Sequence, residues 1–318
     1  MKTRTEISIK PFVGRIDYAS RIFALGSCFA ENVAARMRRV KLRVDSNPTG
    51  VLFNPLSIAE ALKRFAACDT CAEMYHVGER WFSFAAHTSL DGPSREEAQR
   101  LFSEAVRRGY EALEAADTVV LTFGTAWVYE RDGAVVANCH KCPQTEFIRR
   151  RLTIEEIVSA YQPLLEGVLR DKYIVLTVSP VRHISDGLDG NCVSKAVLRL
   201  AAEELCGRFG NVSYFPSYEI LVDDLRDYRY YADDLVHPSS LAVEYVWELF
   251  AKTALSEEAQ WLMPHVERLV AAAEHRPFNP AGRDYSDFCR RTVEVMQSEA
   301  MRGVDFEVEC ARLAQYIK

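Results

Sequence analysis

No apolar stretch of this 318-residue chain is long enough to span a bilayer, which argues against a membrane partner. The opening segment, MKTRTEISIKPF, lacks the apolar run of a secretory leader, so the expected compartment is the cytoplasm. An excess of positive charge is missing too. The chain has 39 Lys and Arg against 45 Asp and Glu, a formal net charge of −6, whereas nucleic-acid binders usually show a basic face. The basic stretches RMRRVKLR (36–43) and IRRRL (148–152) are short and read as solvated helix faces or termini. The nine cysteines are odd in number and read as reduced thiols, not as a disulfide framework. Phosphate-cradling glycines are scarce: GSCFAE (26–31) has one glycine, without G-x-G-x-x-G spacing or a following G-K-[ST]. Internal repeats and low-complexity segments are absent as well.

What is present is an alternation. RIFALGS (21–27), TVVLTFG (118–124) and YIVLTVSP (173–180) are short apolar runs, the last two rich in β-branched residues, and read as buried strands. NVSYFPSYEIL (211–221) reads as another strand. Helical patterns lie between them: Phe29, Val33, Met37 and Val40 after the first strand, then 94–117, 153–170 and 194–210. This order predicts a three-layer α/β/α sandwich around a central parallel sheet, with helices on both faces. From about residue 254 the chain turns helical and charged, which gives a main domain at 1–253 and a helical C-terminal extension at 254–318 packed on it. The segment 129–147 reads as a hairpin through Asp132-Gly133 followed by irregular chain.

Open α/β sheets bind ligands beyond the carboxyl ends of their strands. The residues to watch are therefore Gly26-Ser27, Gly124-Thr125, Pro180 to His183 and the loop after 221. Ser27 sits where a strand meets a helix. A helix N-cap is one reading. A nucleophile is another, because the backbone N–H at a helix N-terminus favours a developing oxyanion. A nucleophile also needs a base and a group to orient it. YYADDLVHPSS (230–240) supplies Asp234 and His237 three apart, a spacing that lets the carboxylate accept from Nδ1–H and leaves Nε2 free.

On these residues the sequence resembles the SGNH (GDSL-type) esterases and acetylhydrolases, whose end blocks are a GDS-like turn and a D-x-x-H. With GSCFA at 26–30, NPTGVLFNP (47–55), LTFGTAW (121–127), NCHK (138–141), TVSPVRH (177–183) and HPS (237–239), it is more specifically similar to the GSCFA domain family, over about 20–250. The resemblance implies a sandwich of SGNH or flavodoxin-like type, with Ser27 as nucleophile and Asp234 and His237 as acid and base. It implies oxyanion donors at the N–H groups of Ser27 and Gly50. The third block, G-x-N-D in SGNH enzymes, is Gly124-Thr125-Ala126 here, so the asparagine is missing. Thr125 Oγ or, preferably, Asn138 then stands in for it. The implied activity is hydrolysis of an acylated carbohydrate or other small ester without metal or organic cofactor. Acyl transfer and a non-catalytic binding role are the alternatives.

His140 and His183 fall past strand ends and read as substrate-binding groups or, with Arg182 or Lys195, as an anion pocket; Lys195 is expected in the first turn of a helix starting near Ser194, close to the pocket. Cys68/Cys71 and Cys139/Cys142 form two C-x-x-C pairs, a four-cysteine zinc alternative, but they lie further apart than the roughly 15–20 residues usual in zinc ribbons. Cys28 is expected to point away from the site into helix packing.

Overall fold

The computed structural model describes residues 5–12, 15–278, 280 and 282–317; residues 1–4, part of the leader reading, lie outside them. The elements run β1 (Arg21–Gly26), α1 (Cys28–Arg39), β2 (Arg43–Ser46), α2 (Pro55–Ala66), β3 (Tyr75–Val77), β4 (Arg80–Phe82), α3 (Arg95–Ala115) and β5 (Thr118–Phe123). There follow β6 (Trp127–Arg131), β7 (Ala134–Val136), β8 (Ile148–Arg151), α4 (Ile154–Glu166), β9 (Tyr173–Val178), α5 (Gly187–Arg208) and β10 (Val212–Phe215). The chain closes with the one-turn α6 (Ser217–Glu219), α7 (Ser240–Ala254), α8 (Glu257–Glu274), α9 (Arg283–Met296) and α10 (Glu307–Ala314).

Five parallel strands form the central sheet in the order β10-β9-β5-β1-β2. The chain thus leaves β1 in one direction, returns, and leaves in the other, the doubly wound order of flavodoxin. Its reversal lies between β1 and β5, where Gly26 pairs in register with Thr122. Alternate strand residues build two cores. Phe23, Leu25, Val119, Leu121, Phe123, Ile174 and Leu176 pack under α2 to α5. Ile22, Ala24, Val120, Val175 and Phe215 pack under α1 and α7. The expected three-layer sandwich is therefore observed. The second core continues outward into α8 to α10 through Val266, Cys289, Phe306 and Leu313, and Lys41 pairs with Glu309 at 2.6 Å. Among the described residues no helix is long and apolar enough to cross a membrane.

The hairpin forms through Asp132 and Gly133, both at positive φ, and β8 joins its other edge. Two elements differ from expectation. The strand at 211–221 stops at Phe215, because Pro216 has no N–H to continue the ladder, and the chain turns helical. The helix expected near Ser194 begins at Gly187, so Lys195 lies deep in α5 and not in its first turn.

Candidate active site

The β1–α1 turn is built so that no side chain but Ser27 occupies it. Gly26 has φ +139°, and a Cβ there would lie 2.2 Å from the Thr122 carbonyl oxygen. Asn47 Oδ1 accepts the Gly26 N–H at 2.9 Å and fixes the turn from the β2 side. Ser27 then takes an extended conformation as the N-cap of α1, its Oγ accepting from Phe29 N–H at 3.3 Å. Its own N–H has no hydrogen-bond partner among the described residues. Both the cap and the open N–H expected of Ser27 are thus present in one residue.

At the far end of the chain, a tight loop with Leu235 at φ +57° carries the base. His237 Nδ1 lies 2.6 Å from Asp234 Oδ2, while Asp234 Oδ1 accepts the N–H groups of Val236 (2.9 Å) and His237 (3.0 Å). These donors, with the imidazole, hold the Asp234 carboxyl down at about 2. The pair is about half exposed to solvent, on the rim of the site. The loop after β9 anchors it, since Arg182 N–H donates to Val236 O at 3.1 Å.

Ser27 and His237 line one cavity of about 610 Å³ at the carboxyl edge of the sheet. It lies against the β1/β5 reversal, where sheet topology places ligands. Its other walls come from the antiparallel β6–β8 unit, through Trp127 and Tyr129, and from the loop after β9, through Arg182 and His183. No hydrogen bond joins Ser27 Oγ to His237 among the described residues, although both line the same cavity.

The sequence profile of the GSCFA family matches residues 21–250, well over half of the chain. The chain belongs to the GSCFA family. A second profile, described as GSCFA domain protein, C-terminal domain, matches residues 266–318. No curated protein matches the chain. Among solved structures it is similar to a Streptococcus pneumonia protein described provisionally as a platelet activating factor. That likeness has 12% identity, a TM-score of 0.39, and coverage of 76% of this chain and 84% of that one. Such a score carries no argument about function.

Within this GSCFA site the remaining sequence expectations separate. Asn138 lines the cavity; its Oδ1 accepts from His140 N–H at 2.8 Å, leaving the amide NH₂ without a partner among the described residues. His183 and Arg182 line it as well. Gly50 does not: its N–H donates to Asn47 O at 2.8 Å, closing a turn, so it is not available as an oxyanion donor. Its φ of +80° and a Cβ clash with His87 explain the glycine without catalysis. Thr125 lines the cavity, but its Oγ1 accepts from Trp127 N–H and bonds Ser194 Oγ, both at 3.1 Å, a loop-shaping role.

His140 is corrected outright. It is buried against Phe82, with ring centroids 4.1 Å apart. Its Nε2 donates to the carbonyls of Ser83 and Ala86, and Nδ1 faces Asp91 at 3.0 Å. Burial lowers its pKa against the pull of Asp91. It holds the β3–β4 lobe and does not line the cavity. Cys28 departs in the opposite sense: it lines the cavity beside Ser27. Burial raises its thiol, against the helix N–H groups and Lys195, which leaves it protonated near neutral pH. The two C-x-x-C pairs stay apart; among the described residues no three His, Cys, Asp or Glu side chains converge as a metal site.

Lys195 is also corrected. It is fully buried behind the cavity wall, donating to Gly124 O (2.6 Å) and Ser179 O (2.7 Å), and so ties the ends of β5 and β9 together. Burial pushes its pKa down to about 7, against an upward pull from the Cys28 thiol. The unfolded chain keeps this proton up to the ordinary lysine range, so between pH 7 and that range it binds more protons than the folded one. The stability Lys195 contributes is therefore fullest at high pH and lost as pH falls through about 7. Lys195→Met is expected to cost about 2 kcal/mol by leaving two buried carbonyls unpaired. Urea unfolding at pH 6.5 and pH 9 tests this: the deficit should be larger at pH 9, and a deficit that shrinks with pH would refute it.

Proposed function

We propose that this protein is a serine hydrolase of an acylated carbohydrate or another small ester, similar in mechanism to SGNH enzymes. The observation that carries the reading is the placement of Ser27, at a helix N-terminus with an open N–H, on the same cavity as the Asp234-held His237. His237 Nε2 takes the Ser27 proton as Oγ attacks the ester carbonyl. Asp234 holds the Nδ1–H tautomer and stabilises the imidazolium. Ser27 N–H and the α1 dipole meet the oxyanion, and the Asn138 amide is the side-chain donor in place of the missing third-block asparagine. His237 returns the proton to the leaving alcohol, then activates water to release the acid. A sugar hydroxyl in place of that water gives acyl transfer.

The absence of a Ser27–His237 hydrogen bond motivates a second reading, a binding protein on a hydrolase-like scaffold. Covalent labelling by a fluorophosphonate separates the two: mass spectrometry should place the label on Ser27, and a folded protein that never labels would favour the binding role. Cys28→Ala tests the neighbouring thiol. It is expected to keep p-nitrophenyl acetate hydrolysis within about threefold, since a protonated thiol is a poor nucleophile; loss of turnover would shift the assignment to cysteine.

A further inference from the structure

The cavity carries a charge imbalance that the Ser27 chemistry does not use. Its wall holds three cations, Lys141, Arg149 and Arg182, against one carboxylate, Asp186. The chain as a whole is at −6, so this positive wall is a local feature. Arg149 is held in place: it pairs with Asp186 and lies over the rings of Trp127 (4.6 Å) and Tyr129 (5.5 Å). Arg182 stacks on Tyr231 at 4.0 Å, which keeps a guanidinium at the wall without neutralising it.

Hydrogen-bond donors are in excess at the same wall. Trp127 Nε1, which can only donate, is buried without a partner among the described residues. His183 Nε2, a donor in one tautomer and an acceptor in the other, is buried and unpartnered as well. Trp127 and His183 belong to one neighbourhood, because Arg149 covers Trp127, and its partner Asp186 donates its backbone N–H to His183 O at 3.2 Å. Buried donors and unneutralised cations call for a ligand rich in acceptors and negative charge.

We propose that the substrate of this site carries an oxyanion, a carboxylate or a phosphate, away from its scissile ester, and that Lys141, Arg182 and the Trp127 N–H hold it. Calling that ligand a substrate rests on the hydrolase reading; the anion site itself rests on the wall groups alone.

The test has a binding arm and a turnover arm. The full chain bearing Ser27→Ala is titrated with sodium succinate and with sodium phosphate at constant ionic strength, with sodium chloride as control, and tryptophan emission is read. Saturable quenching by succinate or by phosphate is expected, and which of them binds tells carboxylate from phosphate. Lys141→Gln and Arg182→Gln should each weaken it about tenfold. Lys141 is exposed, so its variant keeps the test alive if Arg182→Gln fails to fold. In turnover, p-nitrophenyl hydrogen succinate should show a KM about tenfold below that of p-nitrophenyl butyrate, and Lys141→Gln should shrink that ratio. Responses no larger than the chloride control, or binding unchanged in Lys141→Gln, would overturn the proposal. Anion binding without cleavage of any ester would sink the hydrolase and leave the anion site. Cleavage of the neutral ester with an equal KM and no anion binding would do the reverse.

Discussion

Replacing Ser27 by alanine is expected to lower ester hydrolysis by about 10⁴-fold or more, because no other group in the mechanism attacks the carbonyl. The change leaves the Asp234–His237 pair intact, since its bonds are made within its own loop. It does remove the Oγ that accepts from Phe29 N–H, so a stability loss of about 1 kcal/mol accompanies it. Initial rates on p-nitrophenyl acetate, measured beside a urea melt, separate the two effects. His237→Ala should fall as far, and the double variant no further, because the two act as one unit. A Ser27→Ala protein that still turns over ester at a tenth of the wild-type rate would end the serine mechanism.

Gly26→Ala is expected to be strongly destabilising, costing about 3 kcal/mol or more. Two penalties coincide there. The φ of +139° is open to glycine and nearly closed to other residues, and the added Cβ would lie 2.2 Å from Thr122 O. Neither neighbour yields easily, because Gly26 and Thr122 are paired in the parallel β1–β5 ladder at the centre of the sheet. The variant should also lose more activity than its folded fraction explains, as relief of the clash displaces Ser27 from the cavity. Urea unfolding gives the stability change; a cost below about 1 kcal/mol would mean that the turn relaxes and does not fix the serine.

Much of this was legible in one dimension. The apolar runs at 21–27, 118–124 and 173–180 became central strands, because a strand buried on both faces requires an unbroken apolar run whatever surrounds it. Gly26 and Ser27 announced a strand-to-helix turn for an equally local reason: few other residues fit that backbone and cap that helix. Asp234 and His237 were legible as a pair because their contact is made within four residues. The end of β10 at Pro216 was written in the sequence too, and reading 211–221 as one strand passed over the lost N–H.

Other roles had no local signature. Thr125 and His140 follow strand ends in sequence, where binding residues gather, and Lys195 lies in the helix after β9, yet each is held by partners from elsewhere in the chain. Ser194 meets Thr125, Ser83 and Asp91 hold His140, and Gly124 and Ser179 hold Lys195, whereas Gly50 is taken up by its own turn through Asn47 O. Cys28 next to Ser27 turned toward the cavity for the same kind of reason, since the direction of a first-turn side chain depends on what packs against the helix. The sequence by itself determined the parallel sheet, the Ser27 turn and the Asp234–His237 pair, because burial periodicity, glycine-only backbone and short-range hydrogen bonds are local physics. Only the tertiary structure decided which neighbouring polar groups face the cavity and which hold it up, because a hydrogen-bonding side chain takes its role from partners that folding brings to it.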